Sequence, residues 1–108
     1  AVNACKKADT GRLFAMKLLS KRRIKARGAE ELCINERRVF AMVHSPFVVQ
    51  MRYAFATRDD LVLILDIMTG GDLSFHLNRE ARSGARGGFS DQRAAFHAAE
   101  CLLGLADL

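Results

Sequence analysis

The stretch "RLFAMKLL", Arg12 to Leu19, sets a lysine inside an apolar run. With the two-residue alternation of a strand, Phe14, Met16 and Leu18 share one face, and Leu13, Ala15, Lys17 and Leu19 share the other. An ammonium on a largely apolar face costs free energy unless a carboxylate, a phosphate or a polar cavity compensates it. Lys17 therefore needs a partner.

Working outward, "AVNACKKA" before it also reads as a strand, and "DTG", Asp9 to Gly11, as the turn of a hairpin. After it comes the basic stretch "SKRRIKARG", where Ser20 is placed to cap a short helix and Gly28 to end it. From Ala29 to Val43 the pattern is helical, with Leu32, Glu36, Val39, Phe40 and Val43 at helical spacing. Glu36 thus sits inside an apolar stripe, a second ionisable residue where one is not expected.

"HSPF" breaks the helix at Pro46, and two further strands, "VVQMRYAFA" and "LVLILDIM", flank the turn "TRDD". The Gly70-Gly71 pair makes a turn, Asp72 caps a short helix to about Arg79, and "ARSGARGG", Ala81 to Gly88, reads as a loop. Ser90 suits the cap of a last helix whose apolar residues from Ala94 to Leu108 surround nearly the whole circumference, as in a helix buried in a larger body.

Composition bounds the partners. Half of the 108 residues are apolar and 27% are charged, the balance of a globular chain rather than a disordered one. The net charge of +5 favours acidic partners without choosing among phosphates, nucleic acid and anionic lipid. Cys5, Cys33 and Cys101 have no paired spacing, and their odd number argues for a reducing compartment over a disulfide framework. The run "LVLIL" is too short to span a bilayer, and no signal peptide opens the chain. His44, His76 and His97 lack ligand-like spacing. The chain starts inside a strand pattern and stops inside a helical one, so it is expected to be an internal piece of a longer protein.

Lys17 on a strand and Glu36 on the next long helix are natural partners. If the helix packs on the sheet, the two form an ion pair that is costly for stability alone but useful for aiming Lys17 at a phosphate. The plainer reading is that Lys17 snorkels to an edge while Glu36 meets solvent.

"FAMKLL", a helix carrying Glu36, "LVLILDIM" and "GGDL" together resemble the small lobe and hinge of a eukaryotic protein kinase. "KRRIK", "INERR", "YAFAT", "GGDLSFHL" and "FHAAECLLGLADL" most resemble the G protein-coupled receptor kinases of the AGC group. The resemblance implies an α+β fold, an antiparallel sheet with one long helix. Residues 1–68 would form the small lobe through the hinge, lacking its first strand and Gly-rich loop, and residues 69–108 the start of the large lobe.

It further implies ATP and Mg2+ as cofactors, with Lys17 on the α- and β-phosphates and Glu36 orienting Lys17. Val2 and Ala15 would pack above the adenine and Leu73 below it, with Leu65 as gatekeeper. Backbone groups of Asp66 and Met68 would hydrogen-bond the adenine edge, and Asp72 would reach the ribose. Phe40 and Met51 would join the internal hydrophobic stack. By type alone these apolar residues are ordinary core, and Asp72 serves equally as a helix cap.

The Gly-rich loop, the catalytic aspartate and the magnesium ligands implied by the resemblance do not occur in the chain, so this piece alone should be inactive. Ala81 to Gly88 is longer than the usual connection of the family. The implied partner is a protein substrate, activated G protein-coupled receptors among them, with no nucleic acid. The implied location is the cytoplasm, with recruitment to the plasma membrane through regions outside this chain. A pseudokinase scaffold is the alternative. A basic nucleic-acid-binding module centred on Lys21 to Arg27 is a more distant one, since no aromatic residues interleave those cations and a solvated linker explains them.

Overall fold

The computed structural model describes residues 1–84 and 88–108. Strands β1 (Val2–Lys6) and β2 (Leu13–Ser20) form the expected hairpin. Its turn closes through Gly11 N–H donating to the Lys7 carbonyl at 2.8 Å, with Gly11 at φ +72°. Helix α1 (Lys21–Ala26) is capped by Ser20, whose Oγ accepts from the Arg23 amide at 3.4 Å, and the chain leaves it through Gly28 at φ +60°. Helix α2 (Glu30–Met42) follows, then β3 (Met51–Ala56) and β4 (Asp60–Leu65). Their turn is closed by Thr57, whose amide donates to the Asp60 carbonyl at 2.9 Å.

The sheet is wholly antiparallel, in the order β1-β2-β4-β3. Phe14, Val62 and Ile64 form the buried cluster of one face, with Cys5, Met16 and Leu18 packed against it. This is the outer face. Val2, Lys17 and Leu63 lie on one rung of the other, inner face, and Ala4, Ala15 and Leu65 on the next.

Three element boundaries differ from the sequence reading. β3 starts at Met51, because Val48 and Val49 belong to the connection that follows Pro46. β4 stops at Leu65, where Asp66 donates its amide to the Gln50 carbonyl at 2.9 Å and the chain turns away as a connector. Helix α3 (Leu73–Arg82) runs beyond Arg79, so Ala81 and Arg82 are helical. The rest of the expected loop is Ser83 and Gly84 in a turn, Gly88, and residues 85–87, which lie outside the described residues.

The stripe of α2 is also rotated from expectation. Cys33, Glu36, Phe40 and Val43 are half-buried, whereas Leu32 and Val39 face outward. Apolar type placed Leu32 and Val39 inside, but the i, i+3, i+7 and i+10 positions from Cys33 are the ones that meet other side chains.

Helix α4 (Asp91–Asp107) is capped by Ser90. It is tied to α3 by Arg93, whose Nη1 donates to Glu80 Oε1 at 3.0 Å. Gly104 is its one buried residue among those described, seated on Phe47, while Phe96, Leu102, Leu103 and Leu105 are exposed. The total accessible surface is 8460 Å², against about 6,000 Å² for a compact protein of this mass.

Candidate nucleotide site

The site is built from β2, α2 and the connector after β4. Alternation along β2 turns Lys17 to the inner face, and the i, i+3 spacing from Cys33 turns Glu36 toward the sheet. The two meet: Lys17 Nζ donates to Glu36 Oε1 at 2.6 Å. The pair is partly open to solvent, with side-chain exposures of 30% and 37%. Lys17 therefore does not snorkel away from Glu36, and the ammonium keeps donors to spare for a second anion.

Cross-strand register gathers the expected adenine residues on the same face. Ala15 pairs with Leu65, one rung from the Val2, Lys17 and Leu63 rung. Met51 pairs with Leu65 from the other side. Val2 lies on the outermost strand and is largely exposed. Leu73 opens α3 and lines a shallow cleft with Pro46, Phe47 and His97. Concavities of about 470, 380 and 380 Å³ lie beside α1, between α2 and the sheet, and on the outer face by Phe14 and Tyr53; Lys17 lines none of them.

The connector carries an open hydrogen-bonding edge. Among the described residues, neither the Asp66 carbonyl nor the Met68 amide takes part in a backbone hydrogen bond, whereas the Asp66 amide is used. A carbonyl acceptor and an amide donor two residues apart complement the amino group and ring nitrogen of an adenine edge. Gly71 follows at φ +82°, where a side chain would also crowd the Phe75 ring at 2.9 Å. Asp72 caps α3, its Oδ1 accepting from the Phe75 amide at 2.8 Å.

Sequence reasoning missed the partners of the Asp66 side chain. Arg52 grips it with both nitrogens, Nε to Oδ1 at 2.8 Å and Nη2 to Oδ2 at 3.1 Å, and Arg12 Nη2 stands 4.0 Å from Oδ1. The Arg52 hydrogen bond holds the Asp66 carboxyl below its ordinary value against the opposing effect of burial, and the charges of Arg52 and Arg12 add to the lowering. In the basic run, Lys21 Nζ donates to the Thr57 carbonyl at 2.6 Å, and Arg22, Arg23, Lys25 and Arg27 face solvent.

No group of three or more His, Cys, Asp or Glu side chains converges as a metal site among the described residues, and no helix there is long and apolar enough to cross a membrane.

An antiparallel sheet with a strand lysine bound to a glutamate on the flanking helix, then an open-edged connector and a capped helix, is the arrangement of a protein kinase. The protein kinase domain family matches residues 1–108, and the chain belongs to it.

Within that family the chain is similar to receptor kinases. It is 46% identical over 107 residues to G protein-coupled receptor kinase 1 of Caenorhabditis briggsae, an alignment covering 99% of this chain and 16% of the relative. It is 48% identical to beta-adrenergic receptor kinase 1 of Homo sapiens, over 96% of this chain and 15% of that protein. G protein-coupled receptor kinase 4 of Rattus norvegicus is 45% identical, over 99% and 18%. The chain thus spans less than a fifth of the length of these curated relatives.

Proposed function

We propose that this chain is the nucleotide-clamping part of a serine/threonine protein kinase that acts on protein substrates, activated G protein-coupled receptors among them. Residues 1–68 are its small lobe through the hinge, and residues 69–108 begin its large lobe. The ion pair of Lys17 with Glu36, on the same sheet face as Ala15 and Leu65, carries the reading.

In this reading Lys17 holds the α- and β-phosphates of ATP, and Glu36 keeps its ammonium from swinging out of the cleft. Val2 and Ala15 cover the adenine, Leu73 supports it from below, and Leu65 limits the depth of the pocket. The Asp66 carbonyl and Met68 amide meet the purine edge, and Asp72 reaches the ribose. Bound Mg-ATP would supply the γ-phosphoryl group that passes to a Ser or Thr hydroxyl. We assign the magnesium ions no ligand from this chain. The cytoplasm is the proposed location, with recruitment to the plasma membrane by segments outside residues 1–108.

The test is Lys17→Met in the full-length protein. Phosphoryl transfer should fall on the order of a hundredfold or more, with the thermal midpoint little changed. Undiminished turnover would contradict the role of Lys17.

A further inference from the structure

The Asp66 carboxylate lies on the face of the sheet away from Lys17. Leu65 belongs to the inner face, so the next residue turns its carboxylate to the outer one. There two cations converge on it from the strands that flank β4, Arg52 from β3 and Arg12 from just before β2.

Arg52 arrives by a specific distortion. Met51 pairs with Leu65 but Tyr53 with Ile64, so Arg52 is the extra residue of a β-bulge. A bulge re-aims a side chain that regular alternation would send elsewhere, and here it delivers a planar guanidinium edge-on to a carboxylate. The Asp66 amide is separately bonded to the Gln50 carbonyl. The Asp66 peptide is thus restrained from the side chain and from the amide, while its carbonyl is left open.

We infer that the Arg52–Asp66 ion pair, assisted by Arg12, is a positioning device that orients the open backbone edge of the connector toward the purine of a bound nucleotide. The inference rests on the adenine-binding reading of Asp66 and Met68. Arg52 acts from outside the cleft, through Asp66, and touches no substrate. A lysine in its place would keep the charge but lose the two-pronged grip that sets the angle of the carboxylate.

The test uses the full-length protein and two nucleotides, ATP and purine riboside 5′-triphosphate, which lacks the 6-amino group that the Asp66 carbonyl would accept from. Affinities are measured by calorimetry without protein substrate for the wild type, Arg52→Ala and Arg52→Lys. Amide hydrogen exchange at Asp66 is followed without nucleotide. Arg52→Ala should weaken ATP about fivefold, the worth of one misaligned hydrogen bond, and the analogue less than about twofold. Exchange at the Asp66 amide, now bonded to the Gln50 carbonyl, should quicken in Arg52→Ala, and Arg52→Lys should fall between the wild type and Arg52→Ala. Because Arg52 is an exposed side chain, the variant is expected to fold.

Equal weakening of both nucleotides, or of neither, would overturn the positioning role while leaving the site reading intact. A wild type that binds neither nucleotide would overturn the site reading and this inference with it.

Discussion

Replacing Glu36 by glutamine keeps the size of the side chain and removes the charge that meets Lys17 at 2.6 Å. At that separation the bare Coulomb attraction would be about 1.6 kcal/mol in a medium as polar as water and several times more in a dry interior. The side chains are 30% and 37% exposed, so solvent screening and ordering entropy cut the net worth to below about 1 kcal/mol. For a domain of about 150–250 residues that shifts the thermal midpoint by no more than about 2–4 °C. On the proposed reading catalysis answers to a different quantity, the aim of the Lys17 ammonium, and misplacing a positioning group costs about ten- to a hundredfold in rate. Glu36→Gln in the full-length protein should therefore lose far more phosphoryl transfer than stability, and less of it than Lys17→Met. The measurement is single-turnover transfer at saturating ATP beside thermal unfolding of the same samples. Unchanged rate and ATP affinity would show that the contact aims nothing. A loss of several kcal/mol of stability would show that it is a structural brace instead.

Asp72→Ala should cost about 1 kcal/mol in unfolding free energy, because the cap on the Phe75 amide is lost. Asp72→Asn retains the cap, so its thermal midpoint should match the wild type while its ATP affinity falls; equality in both would reduce Asp72 to a cap. At Gly104 an added Cβ would stand 3.2 Å from the Phe47 carbonyl oxygen and 3.4 Å from Phe47 Cβ. In Gly104→Ala the gain in helix propensity, about 1 kcal/mol, offsets the crowding, leaving stability near that of the wild type. Gly104→Val overpacks the contact and should lose about 1–3 kcal/mol in denaturant unfolding. Wild-type stability in the valine variant would mean that α4 is not held against the 44–47 connection.

What the sequence disclosed was what is written locally. Alternation in "RLFAMKLL", the caps Ser20, Asp72 and Ser90, and two ionisable residues on apolar faces each follow from a few neighbouring side chains, and the structure has each of them. The start of β3 was not legible, because Val48 and Val49 have strand-forming side chains and only the path after Pro46 removes them from the sheet. The face of α2 was misjudged by favouring leucine and valine over a cysteine that packs as a small apolar residue. The grip of Arg52 on Asp66 was out of reach for a deeper reason. Strict alternation puts Met51, Tyr53 and Phe55 on one face, and one bulged residue, with no signature in residue type, sends Met51 inward and Arg52 to the carboxylate. The backbone edge at Asp66 and Met68 was reached through family resemblance, since unpaired peptide groups leave no mark in a sequence.

The rung shared by Val2, Lys17 and Leu63 also bears on how the sheet finds its pairing. Were β2 to slip by a single residue, every side chain would change face, and Lys17 would be driven into the layer now made by Phe14, Val62 and Ile64. An ammonium in that layer would lose Glu36 and much of its hydration. The apolar residues on either side of it, Met16 and Leu18, pass from one face to the other with little penalty. Among them Lys17 is the residue that makes a wrong alignment expensive, so the residue proposed to meet phosphate also favours one register of the sheet.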